Sequence, residues 1–584
     1  MKFFLILKYF LKEEIKLNFR RIKILYIFVK EFSILRFFFY LFNNSIIPIR
    51  EKNFRNYILK NTKKWKNESN TKNSSNKNVL ITNIFNHAGY NSCEIIIANN
   101  LMGMFNAEGI ALLNYYDLKR ILLYKSFGIK KIFFLSSSNI FIRFKYFIKA
   151  YLIIKSCKNI EKFLEFNLNN IEIGKAVYDH YLRFSGMGTT NKFENQFYFL
   201  LSKSLLINHQ LKKCFKKHNI IAAVQSERQF VPGAIIFQHV LVNGVNVYSK
   251  IGVGNQFSIR RYDNIKERYI PADRYSIKLY DFINNNIKKR AVNIGGEIIK
   301  KRFDGIPGYE KLKNLYILPI FTRGKKINIV EKKNITKEAL CKRLNWNVNF
   351  PIATIFSTDL TDGVFQSSWS LFRDKLTWIR ETSLEIKKID DVNWLIKPHP
   401  NDEIKNVITS TISEYEKNCF NCDHIKMFSN DISKSSIPKF IDVTITAGGS
   451  VGSEYSCFGI PSILACESIC SGMGYTIDPS CKEEYFSQLH NIKKIKKLNS
   501  QQIELAKIYI FINMKLAIIK SNLIPYHGTA NFTHVEEKSF WSEMTKLLDK
   551  YNHENDLLKK MMEIQEVKKD IHPINYGMIK TTNI

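Results

Sequence analysis

Three apolar runs in the second half of this 584-residue chain end in short clusters of polar or glycine residues, which are residue types that bind phosphate groups. The clusters are Ser357-Thr358-Asp359 after FPIATIF, Lys397-Pro398-His399-Pro400 after VNWLI, and Thr446-Ala447-Gly448-Gly449-Ser450 after FIDVTI. Each run has the length and composition of a buried strand. Because ligands of open α/β sheets bind beyond the carboxyl ends of the strands, we expect the three clusters to line one crevice.

The glycine cluster has the composition of a phosphate-binding loop. Gly448 and Gly449 let the backbone approach a ligand closely, and a helix beginning near Ser450 would direct its free N–H groups toward that ligand. Glu454, one turn further on, could accept hydrogen bonds from ribose hydroxyls. A purely structural interpretation stays open, in which the glycines make a tight turn, Ser450 is an N-cap and Glu454 is a first-turn acid favoured by the helix dipole.

His399 stands between two prolines, which restrict its backbone. A fixed imidazole at a strand end can donate a hydrogen bond to a phosphate oxygen and stabilise a departing nucleotide. A lone histidine is more often structural, but here two strand ends suited to phosphate follow each other some 50 residues apart. We therefore predict a nucleotide site formed by Ser357, Thr358, Lys397, His399, Gly448, Gly449, Ser450 and Glu454, with His399 also catalytic.

Strand and helix patterns alternate on both sides of the chain's middle and predict two doubly wound α/β domains. In the first half, NVLITNIF, GIALLNY, HNIIAAVQSE and VNVYSKIG read as strands with helical patterns between them. We expect an N-terminal segment and linker at 1–77, a first Rossmann-like domain at 78–332, a second at 333–530, and a C-terminal helix and tail at 531–584.

The N-terminal segment is basic and aromatic. Residues 1–75 hold 17 Lys and Arg against 5 Asp and Glu, interleaved with FFLIL, ILYIFV and ILRFFFYLF. The basic residues interrupt every run before it is long enough to span a bilayer, and no signal-peptide pattern follows. Two interpretations of residues 1–66 stay open: a helix lying on the anionic inner leaflet of the cytoplasmic membrane, or a helical extension packed on the protein's own core.

The whole chain carries a formal net charge of +36, which favours polyanionic neighbours such as nucleic acid, an anionic membrane or phosphorylated substrates. Ten cysteines without a secretion signal indicate reduced thiols and a cytoplasmic location. The Cys419/Cys422 and Cys466/Cys470 pairs could in principle hold zinc, but the second pair lies in a small-residue stretch typical of a buried strand end. We expect no metal site.

Several motifs resemble bacterial capsular and surface polysaccharide biosynthesis proteins. They are KPHP, TAGGSVGSEYSCFGIPSILA and GYTIDPSCKEEYFSQL, supported by the TDG of Thr361 to Gly363, by FRDKLTWI and by IEIGKAVYDHYLR. Such proteins are similar to GT-B glycosyltransferases, akin to the HP-motif Kdo and sialyl transferases and the teichoic-acid glycerophosphotransferases. The resemblance implies a GT-B-like fold with two Rossmann-type domains facing a cleft, a nucleotide-sugar as co-substrate without any cofactor, and His399 and Ser450 on the donor phosphate.

The catalytic base is less defined by the sequence. A GT-B acceptor site belongs to the first domain, where the candidates are His87 in the first strand-to-helix turn and Glu227 at another strand end, while Asp362 lies in the second domain. The expected function is glycosyl transfer to a polysaccharide or glycolipid acceptor by a cytoplasmic enzyme, peripheral on the inner membrane face. The alternatives are glycerophosphate transfer from CDP-glycerol and, in another class, nucleic-acid binding, which we do not expect because no recognition motif accompanies the charge.

Overall fold

The computed structural model divides the described residues into two compact units. One unit takes in the described residues up to Tyr178, then Asn191–Arg268, and the described residues from Lys520 onward; the other takes in Asp179–Thr190 and the described part of Tyr269–Ile519. The residues that the structure describes are 3–15, 49–69, 76–82, 88–136, 139–251, 256–270, 279–281, 283–304, 333–366, 368–399, 409–525 and 534–551.

The first unit is built on a seven-stranded sheet with the order β12-β6-β5-β4-β1-β2-β3. Its strands are β1 (Lys77–Ile81), β2 (Glu108–Leu113), β3 (Lys131–Phe134), β4 (Asn219–Val224), β5 (Asn246–Ile251), β6 (Gln256–Tyr262) and β12 (Ile519–Lys520). The neighbours from β3 to β5 are parallel, and β6 is antiparallel to β5. The chain adds β2 and β3 on one side of β1 and β4 and β5 on the other, which is the doubly wound arrangement expected from the sequence.

Helices fill both faces of this sheet. They are α1 (residues 3–15), α2 (Lys52–Ser69), α3 (Ala88–Phe105), α4 (Leu118–Ser126), α5 (Ile140–Ser156), α6 (Ile160–Leu164), α7 (Ile173–Ser185), α8 (Asn195–Lys217), α9 (Gly233–Val242) and α18 (His534–Lys550). The division between the two units falls inside α7, between Tyr178 and Asp179.

The α2 helix belongs to the core of the first unit. Phe54 and Tyr57 are fully buried, and their rings lie 4.7 and 5.2 Å from that of Trp541 in α18. The indole N–H of Trp65 donates to Asn61 Oδ1 at 2.9 Å, which satisfies a buried amide. Residues 52–65 therefore pack on the protein's own core together with the C-terminal helix, while residues 16–48 of the N-terminal segment lie outside the described residues.

The second unit is built on a five-stranded sheet with the order β11-β10-β7-β8-β9. Its strands are β7 (Ile352–Phe356), β8 (Asn393–Lys397), β9 (Ile425–Met427), β10 (Val443–Thr446) and β11 (Ser462–Leu464), and every pair is parallel. Alternate residues of β7 enter two different hydrophobic clusters, Ala353 and Ile355 on one face and Ile352 and Phe356 on the other. Both faces are covered, as parallel sheets require.

The helices of the second unit are α10 (Asn285–Asp304), α11 (Lys337–Leu344), α12 (Lys375–Ile386), α13 (Thr411–Asn418), α14 (Ile437–Phe440), α15 (Val451–Ser456), α16 (Lys482–His490) and α17 (Ser500–Phe511). Short 3-10 turns lie at Ile265–Glu267, Val364–Gln366 and Ile492–Lys494, and α17 continues into a π-helical turn at Ile512–Leu516. Within the described residues, no helix is both long and apolar enough to cross a membrane.

The boundary between the units differs from the one expected after residue 332. After Asp179–Thr190, the second unit resumes at Tyr269, within the stretch from about 263 to 332 that was expected to hold the end of the first domain and a linker; residues 305–332 of that stretch lie outside the described residues. The reason lies in α10, where a Cβ on Gly295 would stand only 2.0 Å from the backbone oxygen of Lys507 in α17. This glycine allows α10 to pack closely on α17, and so joins α10 to the second unit.

We predict opposite effects for two neighbouring glycines of α10. Gly295→Ala should destabilise the protein by about 1–3 kcal/mol, because the added methyl group would force the two helix backbones apart. Gly296→Ala should be neutral or stabilising by up to about 1 kcal/mol, since its Cβ would meet only the Lys507 side chain, at 3.7 Å, and alanine favours a helix. Thermal unfolding of both variants measures this; equal effects would contradict the close approach.

Candidate functional site

The carboxyl ends of β7, β8 and β10 are level in the second sheet. Phe356 at the end of β7 is in register with Lys397 on one side and with Thr446 on the other. The chain leaves β7 toward β8 and returns on the other side of β7 with β10, so this edge includes a topological switch point. The three polar clusters expected to share a crevice therefore do follow adjacent strands at one edge of one sheet.

The Gly448-Gly449 turn needs glycine at both positions. Their φ angles are +102° and +89°, in the left-handed region that other residues rarely adopt. Hydroxyl groups hold the turn in place, since Thr446 Oγ1 donates to the Gly448 oxygen and Ser468 Oγ to the Gly449 oxygen, both at 2.8 Å. No atom lies within 4 Å of where a Gly449 Cβ would be, so the backbone there faces open space.

Glu454 lies on α15, a single short helix that follows this turn, and its carboxylate is already occupied. It is 4% exposed and binds Arg302 at 2.8 Å, Lys434 at 3.2 Å and the Ser450 hydroxyl at 2.6 Å. Burial alone would raise the pKa of Glu454, but the charges of Lys434 and Arg302 outweigh it and hold the pKa below its usual range. Binding of a ribose by Glu454 stays a prediction, and it would have to share these partners.

The cluster after β7 contains two hydroxyl groups, of which one has a hydrogen-bond partner and the other has none among the described residues. Ser357 Oγ lies 2.6 Å from Thr411 Oγ1 at the start of α13, and its backbone N–H bonds to the Lys397 oxygen. Thr358 Oγ1 is buried without a hydrogen-bond partner among the described residues. A buried hydroxyl without a partner is costly unless a ligand or water satisfies it, so Thr358 suits ligand binding better than Ser357 does.

Lys397 is the last residue of β8 and His399 lies two residues beyond it; both are half-buried. The Lys397 ammonium stands 4.5 Å from the centre of the ring of Phe428, the residue that follows β9. This cation–π contact orients the lysine side chain. Pro400 lies outside the described residues. The sequence-predicted donor residues of β8 thus stand at the same sheet edge as Thr358 and Gly449.

Sequence reasoning missed a pair of residues that hold the loop after β7. The buried carboxylate of Asp179 accepts hydrogen bonds from the backbone N–H groups of Val364 and Phe365, at 2.8 and 3.1 Å. Burial raises the pKa of Asp179 to about 7. Four residues on, Arg183 binds Asp359 at 3.1 Å and Asp362 at 3.3 Å. The signal was available in IEIGKAVYDHYLR, because residues four apart lie on one face of a helix.

The first unit has its own switch point, between β1 and β4. Thr82 follows β1, and both its N–H and its hydroxyl donate to the Val224 oxygen at the end of β4. His87, the first candidate base, lies outside the described residues. Glu227, the second, is half-buried in the loop after β4, and its carboxylate accepts the backbone N–H of Gln229 at 2.8 Å.

Glu94, in the middle of α3, is a titratable residue that the sequence analysis did not identify. Its Oε1 accepts the Ser226 backbone N–H at 2.8 Å, while Oε2 is buried with no hydrogen-bond partner in the described part of the chain. Burial raises its pKa to about 8, and burial lowers the pKa of the nearby Lys250 ammonium. Glu94 therefore anchors the loop that carries Glu227. Its signal in the sequence was a single acid within the apolar run CEIIIA.

A cavity of about 490 Å³ in the first unit lies at the other edge of the sheet. It is lined by Asn219 at the start of β4 and by Val245, which precedes β5, together with Lys212 and Lys216 of α8. The C-terminal ends of α8 and α9 meet this region, and lysines near helix C-termini complement the carbonyl dipoles. The helix C-termini explain why lysines line this cavity. We therefore assign the cavity no role in the site.

Cysteines and carboxylates form no metal site in the ranges that the structure describes, where no group of three or more His, Cys, Asp and Glu side chains could hold an ion. Cys419 and Cys422 are buried in a hydrophobic cluster, and burial raises the pKa of the Cys419 thiol to about 11. Cys470 is also buried, with its pKa raised to about 11 by burial. These are structural thiols.

No protein-family model and no curated protein matches the chain. Among solved structures it is similar to the KpsC β-Kdo 2,4 transferase of Thermosulfurimonas dismutans, with 10% identity over 56% of this chain and 88% of that chain and a TM-score of 0.31. It is also similar to a glycosyltransferase from Rickettsia africae, with 12% identity, coverage of 82% and 99%, and a TM-score of 0.21.

A third similar structure is a putative UDP-N-acetylglucosamine 2-epimerase from Listeria monocytogenes, with 9% identity, coverage of 76% and 94%, and a TM-score of 0.23. The two transferases, unlike the epimerase, are of the kind that the sequence motifs led us to expect, but likenesses this distant carry no argument about activity. The fold expected from the sequence, two Rossmann-like α/β units, is confirmed by the strand orders of this chain: the sheet of the first unit is mainly parallel and that of the second is wholly parallel.

We predict that Glu94→Gln makes the protein less sensitive to rising pH. Because the folded-state pKa of about 8 is above the ordinary value of 4.5, stability contributed by the protonated acid is present below pH 4.5 and is lost as the pH rises toward 8. Glutamine cannot ionise and keeps the acceptor for the Ser226 N–H. The variant should gain stability over wild type between pH 5 and pH 8, on the order of a few kcal/mol.

Unfolding midpoints measured from pH 5 to pH 8 test this expectation. The matched control is Glu108→Gln, which changes an exposed carboxylate at the start of β2. A constant difference between Glu94→Gln and wild type across this range would show that Glu94 is not the titrating group.

Proposed function

We propose that the chain is a GT-B-type glycosyltransferase that transfers a sugar from a nucleotide-activated donor to a surface-polysaccharide or glycolipid acceptor. The observation that carries the proposal is the sheet edge in the second unit, where an open glycine turn, a buried threonine hydroxyl with no partner among the described residues, and a proline-flanked histidine follow three adjacent parallel strands. Nucleotides bind α/β sheets at such edges.

Each group has a role that suits its chemistry. The backbone around Gly449 offers N–H groups in a conformation that binds phosphate oxygens. The Thr358 hydroxyl and the Lys397 ammonium add donors on the neighbouring strands, and His399 donates to the phosphate oxygen whose charge grows as the nucleotide leaves. Because these N–H, hydroxyl and ammonium groups can bind the phosphates of the nucleotide-sugar, no metal ion is needed there. We therefore propose a metal-independent reaction.

The acceptor hydroxyl must lose a proton during transfer. We propose that this base comes from the first unit, with His87 and Glu227 as candidates. Glu94 is a positioning residue here, because its carboxylate is buried and binds the loop that carries Glu227. Since the acceptor of such a reaction is attached to lipid or to the cell surface, we place the enzyme on the inner face of the cytoplasmic membrane as a peripheral protein.

A thermal-shift screen with CMP, CDP, UDP, GDP and ADP in the presence of EDTA tests the donor site. One nucleotide should raise the melting temperature, since a ligand present at 100 times its Kd stabilises the native state by about 2.7 kcal/mol. A shift with UDP, GDP or ADP alone would contradict the CDP-glycerol alternative, whereas a cytidine nucleotide fits both CDP-glycerol and a cytidine-activated sugar, which a donor-hydrolysis assay then separates. A shift that requires added Mg²⁺ or Mn²⁺ would contradict metal independence.

Two glycine variants locate the binding in this screen. Gly449→Ala should lose most of the nucleotide-induced shift, because a methyl group would enter the open space beside the turn. Gly474→Ala is the matched control, since Gly474 has a similar φ of +83° and nothing within 4 Å of its Cβ position, but lies elsewhere. Equal shifts in both variants, or none in wild type, would refute the proposed nucleotide site.

His399→Ala should lower kcat by about 10²–10³ while changing donor affinity much less, because the lost hydrogen bond strengthens only as negative charge develops. His490→Ala is the control, an exposed histidine whose Nε2 lies 2.7 Å from Glu385. Steady-state kinetics and the nucleotide shift, measured on both variants, separate turnover from binding. A His399→Ala enzyme with full turnover would show that this histidine is structural.

A further inference from the structure

The α1 helix is apolar on two opposite faces. Its inner face is used in the fold: Ile6 and Phe10 are fully buried, and the Phe10 ring stacks on Phe147 of α5 with 4.4 Å between centroids. The inner contact also includes a buried ion pair, Glu14 with Arg143 at 3.0 Å. Packing on α5 thus explains one apolar face of α1 and leaves the other unexplained.

The outer face of α1 exposes four large apolar side chains. Phe4 is 72% exposed, and Leu5, Leu11 and Ile15 are about half exposed, with Lys8 and Lys12 also exposed among them. Residues 4, 8, 11, 12 and 15 are neighbours on one side of a helix. A helix at a water-facing surface normally presents polar residues there, so this face suits an interface rather than bulk water.

The α5 helix repeats the pattern. Phe141 is 79% exposed, Leu152 is 58% exposed and Phe144 is 40% exposed, and the spacing from 141 through 144 to 152 keeps them on one helical side. Lys145 and Lys149 are exposed on the same side. Phe144 also contacts Phe10, with ring centroids 6.5 Å apart, so the exposed stripe of α5 adjoins α1.

The charge on this surface is of one sign. The only acidic residues of α1 and α5 are Glu13 and Glu14; Glu14 is buried in its ion pair and Glu13 is not on the outer side. A second copy of the chain docked here would bring lysines against lysines, which is unfavourable. An anionic lipid surface offers both a hydrocarbon layer for the apolar side chains and phosphates for the lysines.

We propose that the outer sides of α1 and α5, here called the α1–α5 face, dock on an anionic lipid membrane. Phe4, Leu11, Phe141 and Leu152 enter the headgroup region, and Lys8, Lys12, Lys145 and Lys149 bind lipid phosphates. The proposal rests on the proposed function in one respect: an acceptor attached to the membrane would require the enzyme to bind there. Lipid binding itself is measured without any enzymatic activity.

Flotation of the full chain with vesicles of phosphatidylglycerol and phosphatidylcholine, compared with phosphatidylcholine alone, tests the α1–α5 face. Wild type should float with the anionic vesicles and release as salt is raised, because salt screens the lysines. A variant with Phe4→Ser, Leu11→Ser, Phe141→Ser and Leu152→Ser should lose binding. A second variant with Lys8→Gln, Lys12→Gln, Lys145→Gln and Lys149→Gln should weaken it by about 600-fold, since each of the four lysines near an anionic surface contributes about fivefold.

The control variant carries Leu384→Ser and Phe420→Ser, which change comparably exposed apolar residues of the second unit and should leave vesicle binding unchanged. The nucleotide-induced thermal shift should persist in all variants; its absence from wild type would refute the proposed function and leave the lipid result standing. Unchanged flotation of both face variants would overturn the α1–α5 face. So would a wild-type dimer that the serine variant converts to a monomer, because the face would then be an interface between copies.

Discussion

The register of the second sheet is the constraint on which the candidate site depends. Phe356 is paired with Lys397 and with Thr446, so residues far apart in sequence leave the sheet at the same level. Side chains in a parallel sheet alternate between its faces, and a slip of one residue would exchange those faces along a whole strand. The hydrophobic clusters on both sides of β7 prevent such a slip, and thereby fix where Thr358, His399 and Gly449 stand.

Buried charged groups then hold the loops that leave this edge. Asp179 receives two backbone N–H groups of the loop after β7, Arg183 binds two of its carboxylates, and Glu454 is neutralised by Arg302 and Lys434. Leaving the 4% exposed Glu454 carboxylate without its two cations would cost several kcal/mol, so these ion pairs favour one conformation of the region around the glycine turn. The first unit uses the same principle with a neutral acid, since Glu94 is protonated near neutral pH and accepts the Ser226 N–H.

Local signals in the sequence located β7, β8 and β10 and the glycine turn, but they did not indicate β3 or β6 of the first unit. Apolar runs of strand length ended where the structure ends β7, β8 and β10, and the glycine pair does adopt the left-handed backbone that suggested a turn. Contacts between distant segments left no comparable signal. The boundary between the units was misplaced because Gly295 and Lys507 meet only in the folded chain, and the pairing of α2 with α18 joins residues almost 500 positions apart.

Composition was ambiguous for the N-terminal segment because aromatic and basic residues serve two purposes there. In α2 the rings of Phe54 and Tyr57 are buried against Trp541, so this basic helix is part of a core, whereas the runs ILYIFV and ILRFFFYLF lie outside the described residues. In α1 the same composition divides between a buried side, with Phe10 on Phe147, and an exposed side led by Phe4. Since a helix of one composition can be wholly buried or two-faced, only the partner on each face decides its role. For α1 that partner is known on the inner side, and the lysines of the outer side indicate an anionic one.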